Sequence, residues 1–89
     1  MSRAFIKEDA DGPERRYNLP ARSDPGYDAA AALALLEGAN VGDSYGAELA
    51  TGYRWGEPKL KAYVERILME ARAEGNERLQ QLAERFLGS

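Results

Sequence analysis

The chain contains no cysteine and no histidine. Without thiols, neither a disulfide nor a thiolate zinc site is available to hold the fold together. Without imidazole, the commonest metal ligand and the commonest general base at neutral pH are missing together. No apolar run approaches the roughly 18 residues expected of a membrane span. The segment Met1–Gly12 has no hydrophobic stretch and turns acidic at once, so it does not read as a secretory signal. Basic residues are in the minority, 12 against 15 acidic ones, for a formal net charge of -3. Direct contact with nucleic acid relies on a basic surface that displaces counterions, and it is not expected here. These absences read as a soluble, cytoplasmic protein.

Catalytic chemistry is equally thin. Ser2, Ser23, Ser44, Ser89 and Thr51 have no histidine to activate them, and none stands in a nucleophile-elbow context. The carboxylate pairs Asp24/Asp28 and Glu70/Glu74 lie one helical turn apart, but on a polar face where solvation is the rule. The stretch from Gly38 to Asp43 lacks the Gly-Lys-Ser/Thr of a phosphate loop, and helix termination explains its glycines. No catalytic residue, metal site or cofactor is expected, and the chain does not read as an enzyme.

What is present is a tandem. Shifting the 89-residue sequence by 33 positions aligns 24–56 with 57–89. Identities fall at Pro25/Pro58, Ala29/Ala62, Leu35/Leu68, Glu37/Glu70, Gly42/Gly75, Leu49/Leu82 and Ala50/Ala83. They occupy positions that matter to helices. In the second copy, Pro58 suits a first helical turn. Leu60, Tyr63, Val64, Ile67, Leu68 and Ala71 then form an amphipathic stripe. Lys61–Glu65 and Arg66–Glu70 are spaced as i,i+4 ion pairs. Gly75 reads as a left-handed stop and Asn76 as the cap of the next helix, which buries Leu79, Leu82, Ala83, Phe86 and Leu87.

The first copy repeats these signals with smaller side chains. Asp24 caps, Pro25 starts, and Tyr27, Ala30, Ala31, Ala34 and Leu35 take core positions. Gly42 ends the helix and Asp43 caps the next, where Gly46, Leu49, Ala50 and Tyr53 are expected to face inward. Gly38 weakens the first helix by about 1 kcal/mol relative to Ala, and the helix ends there or at Val41. The small residues imply close backbone approach, so this helix is expected to be the most tightly enclosed of the four, with Leu60, Tyr63 and Ile67 filling against it. Two copies are fewer than a freestanding solenoid needs. The pair therefore closes into a compact four-helix arrangement or shields an open end by forming a homodimer.

Two glycines and a proline mark a loop between the copies, at 51–58. It holds the sole tryptophan, Trp55, which either wedges the hairpins together or joins Tyr53 and Arg54 in an aromatic–cationic patch for a protein partner. Residues 1–23 show no periodicity and read as a flexible arm. Its Tyr17-Asn18-Leu19-Pro20 portion is placed near the first helix, and Phe5 and Ile6 are candidate partner contacts. Charge is uneven: 24–56 carry one base, Arg54, against five acids, which suits a basic partner.

Two resemblances add to this. Ser2-Arg3-Ala4-Phe5-Ile6-Lys7-Glu8-Asp9 resembles the opening of bacterial GreA/GreB-family transcription elongation factors, over about a tenth of the chain. The resemblance implies bacterial origin and RNA polymerase as a partner. The long coiled coil with an acidic tip and the β-rich domain of that family have no counterpart here, so transcript cleavage is not implied. The 33-residue period with paired helices is similar to tetratricopeptide-like repeats, although the tryptophan and tyrosine of that family's first helix are missing. The resulting expectation is an all-α fold: an arm at 1–23 and a helical domain at 24–89. Its expected function is a non-enzymatic protein–protein interaction module that contacts its partner through the groove between the hairpins and the Tyr53–Trp55 loop. The alternative is a transcription-associated accessory protein that reaches RNA polymerase through Phe5 and Ile6.

Overall fold

A computed structural model describes residues 17–89. Phe5 and Ile6, with most of the expected arm, lie outside the described residues. Among the described residues the fold is all-helical: α1 (Tyr27–Asn40), α2 (Ser44–Thr51), a 3-10 turn (Pro58–Leu60), α3 (Lys61–Glu74) and α4 (Glu77–Leu87). No helix among them is long and apolar enough to cross a membrane.

The two hairpin connections are built alike. Gly42 and Gly75 adopt φ values of 75° and 73°, the left-handed conformation that side chains resist. After Gly42, the Asp43 amide donates to the Gly38 carbonyl (2.7 Å) and the Gly42 amide to that of Ala39 (3.2 Å). After Gly75, the Asn76 amide donates to Ala71 (2.9 Å) and the Gly75 amide to Arg72 (3.2 Å). Both are Schellman closures, which satisfy the carbonyls a helix end leaves without partners. They differ in the cap that follows. Asn76 Oδ1 accepts from the Leu79 amide (3.1 Å), whereas Asp43 Oδ2 accepts from the Tyr17 hydroxyl (2.8 Å) and makes no cap bond to α2.

The two helix starts diverge as well. Pro58 opens the 3-10 turn as its position predicts, and the Glu57 carboxylate accepts from the Lys59 amide (3.2 Å). Pro25 does not open α1. Asp24 Oδ1 accepts from the Gly26 amide (2.7 Å) and the Asp24 carbonyl from the Tyr27 amide (2.9 Å), so a turn occupies these residues and the helix begins at Tyr27. Asp24 thus shapes a turn and is not the helix cap.

Helix α1 is the hub: it packs against α2, α3, α4 and the 3-10 turn. Ala31, Ala32, Leu35 and Leu36 are fully enclosed, on more than one face, which is how a helix apolar nearly all round must sit. The expectation that this helix is the most enclosed agrees with the structure. Leu60, Val64, Leu82, Ala83 and Phe86 close over it from the second hairpin, while Tyr63 and Ile67 are only half-buried at the margin. Tyr17 is buried over α1 and Leu19 packs beside the core.

Two local expectations are corrected, while of the two ends expected for α1 the later one holds: the helix runs through Gly38 to Asn40 with Val41 as its cap, and Gly38 is a contact point with α2. Leu49 is 58% exposed, although it aligns with the buried Leu82. Helix α2 approaches α1 through small residues, Gly46 and Ala47, and at that close spacing the larger Leu49 is turned outward. Lys61 does not turn to Glu65. Its ammonium donates to the carbonyls of Leu87 (3.2 Å) and Ser89 (3.0 Å), tying the start of α3 to the end of α4. An ion pair does join Arg72 and Glu84 (3.4 Å), both more than half exposed, where such pairs contribute at most about 1 kcal/mol.

Candidate functional site

Among the described residues, helix α2 packs on α1 and on no other helix. Its inner side is made of Gly46, Ala47 and Thr51, all buried. Its outer side presents Tyr45, 73% exposed, and Leu49 one turn later. Large apolar side chains at i and i+4 therefore stand together in water on one helix face.

The end of α2 is fastened to the start of α1 by hydrogen bonds. The Tyr27 hydroxyl donates to the Thr51 carbonyl (2.8 Å), and the Thr51 hydroxyl donates to the Ala47 carbonyl (2.8 Å). Gly52, at φ 80°, reverses the chain, and the Tyr53 amide donates back to Thr51 Oγ1 (3.1 Å). The Arg22 guanidinium lies 5.3 Å from the Tyr27 ring centroid and against Gly52. The Tyr53 hydroxyl donates to Asp28 Oδ1 on α1 (2.7 Å), and the Trp55 amide donates to Glu48 Oε2 on α2 (2.8 Å).

Of the two readings of the loop, the one in which Trp55 wedges the hairpins together fits the structure, and the Tyr53–Arg54–Trp55 triplet is divided. Tyr53 and Arg54 join Tyr45, Leu49 and Glu48 around a shallow depression of about 460 Å³ on the outside of the first hairpin. Trp55 is half-buried and meets the Phe86 ring edge-on, with centroids 5.0 Å apart and planes at 67°. It therefore joins the loop to α4 of the second hairpin. Tyr45 was not among the sequence-derived candidates, and Leu49 was assigned inward. The signal that could have found them is the i,i+4 pair opposite Gly46, Ala47 and Ala50, which the alignment of Leu49 with Leu82 overrode.

A second concavity lies between the hairpins, where Leu33 and Leu36 of α1 face Leu79 and Leu82 of α4. Among the described residues, no group of three acidic side chains converges as a metal site would require.

Tyr53 also carries the one resolved titration shift among the described groups. Its phenol is held above the ordinary value of 10.0, first because its proton is donated to Asp28, then through burial and the negative charges of Asp28 and Glu57, with Arg22 opposing. The folded protein thus keeps this proton longer than the unfolded chain. Its contribution is complete below pH 10 and is lost as pH rises through the raised value. In a phenolate absorbance titration, Tyr53→Phe should remove a component that titrates above pH 10, and Asp28→Asn should move that component down. A difference spectrum titrating at or below pH 10 would contradict the arrangement.

Comparison with family models, with curated proteins and with solved structures yields no match to this chain, so the functional reading rests on the geometry of the site itself.

Proposed function

We propose that the chain is a cytoplasmic, non-enzymatic helical interaction module that binds a protein partner through the outer face of α2 and the adjoining Tyr53–Arg54 loop. One observation carries this reading. Tyr45 and Leu49 stand exposed side by side on a helix anchored from behind. Tyr and Arg are over-represented among the residues that dominate binding energy at interfaces, and here they border an aliphatic anchor. The cleft between the hairpins supports this role less well, because Leu36 and Leu82 are enclosed and Leu33 is only 38% exposed.

The test compares wild type with a Tyr45→Ala/Leu49→Glu double variant in pull-downs from bacterial lysate at physiological salt. Both positions are exposed, so the variant should keep its fold, with stability changed by about 0.5 kcal/mol or less at each site. Wild type should recover a protein that the variant does not. Identical recoveries, or none from either, would sink the reading.

The Ser2–Asp9 run favours a second reading, an accessory protein that reaches RNA polymerase through Phe5 and Ile6. Deleting residues 1–12 should then abolish co-purification of polymerase while leaving the circular dichroism of the helices intact. Unchanged recovery refutes it.

A further inference from the structure

The apolar surface of α2 begins where the chain enters the described fold. Tyr17, the first described residue, is only 7% exposed. Its hydroxyl donates to Oδ2 of Asp43 (2.8 Å), the residue immediately before α2. Tyr17 also lines a shallow depression together with Val41, which is 64% exposed. Val41, Tyr45 and Leu49 are three of the five large apolar side chains exposed among the described residues. They follow one another at intervals of four, from that depression into α2. The chain is thus pinned at one end of an apolar surface that no other described helix covers.

Residues 1–16 precede that pin, and in their sequence two large apolar residues, Phe5 and Ile6, are adjacent. Arg3 and Lys7 flank them, so the span 3–7 carries positive charge alone, whereas 24–56 carry five acids against Arg54. Reach is ample. Ile6 and Tyr17 are eleven residues apart, about 36–40 Å at full extension, while the eight residues of α2 span about 12 Å. Concentration then selects the occupant. A short tether presents its end at roughly millimolar effective concentration, about a thousandfold above a second copy at micromolar protein. An apolar contact too weak to hold a separate molecule is therefore occupied in cis. We infer that the N-terminal segment of this chain docks on the outer face of α2, with Phe5 and Ile6 against Tyr45 and Leu49. This rests on the reading of that face as a contact surface, and it adds a competitor that any partner must displace.

The experiment is paramagnetic relaxation in the full chain, which has no cysteine of its own, so that Ser2→Cys carries a single nitroxide label. Broadening of amide resonances should concentrate on residues 41–49. Phe5→Ala/Ile6→Ala in the labelled chain should weaken the contact by about tenfold or more, since burying either side chain is worth that much, and the broadening at 45 and 49 should be lost. Leu49→Glu, an exposed change on the receiving side, should have the same effect. A tether that only passes near Tyr17 broadens its surroundings whatever stands at 5 and 6. A profile that both variants leave unchanged therefore overturns the proposal, as does a labelled wild-type chain with no broadening at 45 and 49. Mixing labelled chain with unlabelled, isotopically enriched chain should give no broadening; broadening there places a second copy on the face and overturns docking in cis. The two readings fail separately. A lysate pull-down without a partner sinks the partner and leaves the relaxation result standing, whereas an unchanged relaxation profile sinks the docking and leaves the partner.

Discussion

Phe86→Ala is expected to unfold most of the population at room temperature. Phe86 is fully enclosed and is the largest of the fully buried side chains. Truncating such a ring removes its transfer free energy and leaves a cavity, together about 3–5 kcal/mol. The edge contact with Trp55 disappears as well, and such aromatic pairs contribute about 0.5–1.5 kcal/mol beyond area burial. A small domain without disulfide or metal has little reserve: a single core of this size supplies about 3–5 kcal/mol in all. Phe86→Leu fills much of the same space and should stay folded, with stability lower by about 1–2 kcal/mol. Urea denaturation reports both variants, through Trp55 fluorescence and helical circular dichroism. A Phe86→Ala protein within about 1 kcal/mol of wild type would show that this core does not hold the hairpins together.

Gly38→Ala tests the other half of the core, and its sign is the informative part. On helix propensity alone, replacing a mid-helix glycine by alanine should stabilise by about 1 kcal/mol. The tertiary structure reverses that. A Cβ at position 38 would lie 2.6 Å from the Cβ of Ala47, 3.0 Å from the Asp43 carbonyl oxygen and 3.1 Å from the Tyr17 hydroxyl. Two of these neighbours are backbone or methyl groups with little freedom to move, so α2 must be displaced from α1. Overpacking of this kind costs about 1–3 kcal/mol. Ala47→Gly removes the tightest neighbour, so the Gly38→Ala/Ala47→Gly double variant should lie above the sum of the two single changes. Thermal and urea denaturation of the four proteins measures the coupling. A Gly38→Ala protein more stable than wild type would refute the close approach of α1 and α2.

Much of the fold was legible in the order of residues. The 3.6-residue stripe from Leu60 to Ala71 and its continuation from Leu79 to Phe86 marked α3 and α4, and both are helices with those faces largely covered. Gly42 and Gly75 marked two equivalent stops, because a left-handed residue at a helix end is a local requirement that glycine meets without steric cost. The enclosure of α1 followed from its run of alanines and leucines. The candidate site was less legible. Tyr53 and Arg54 were singled out by residue type, but Trp55 is drawn inward by Phe86, a residue 31 positions away in sequence. Tyr45 and Leu49 were missed because their exposure depends on how closely α2 approaches α1, and that distance is set by Gly38 and Ala47 on two different helices.

Local stereochemistry and apolar spacing therefore determined, from the sequence alone, that this chain is helical, where its hairpins turn and which helix lies at the centre. The tertiary structure decided which side of α2 meets water, that Trp55 spans the hairpins, and that Tyr17 is bonded at the start of α2. The division has a physical cause. Backbone preference and periodicity act within a few residues of one another, whereas the facing of a side chain is settled by the size of its neighbours across a helix interface, which sequence proximity does not encode.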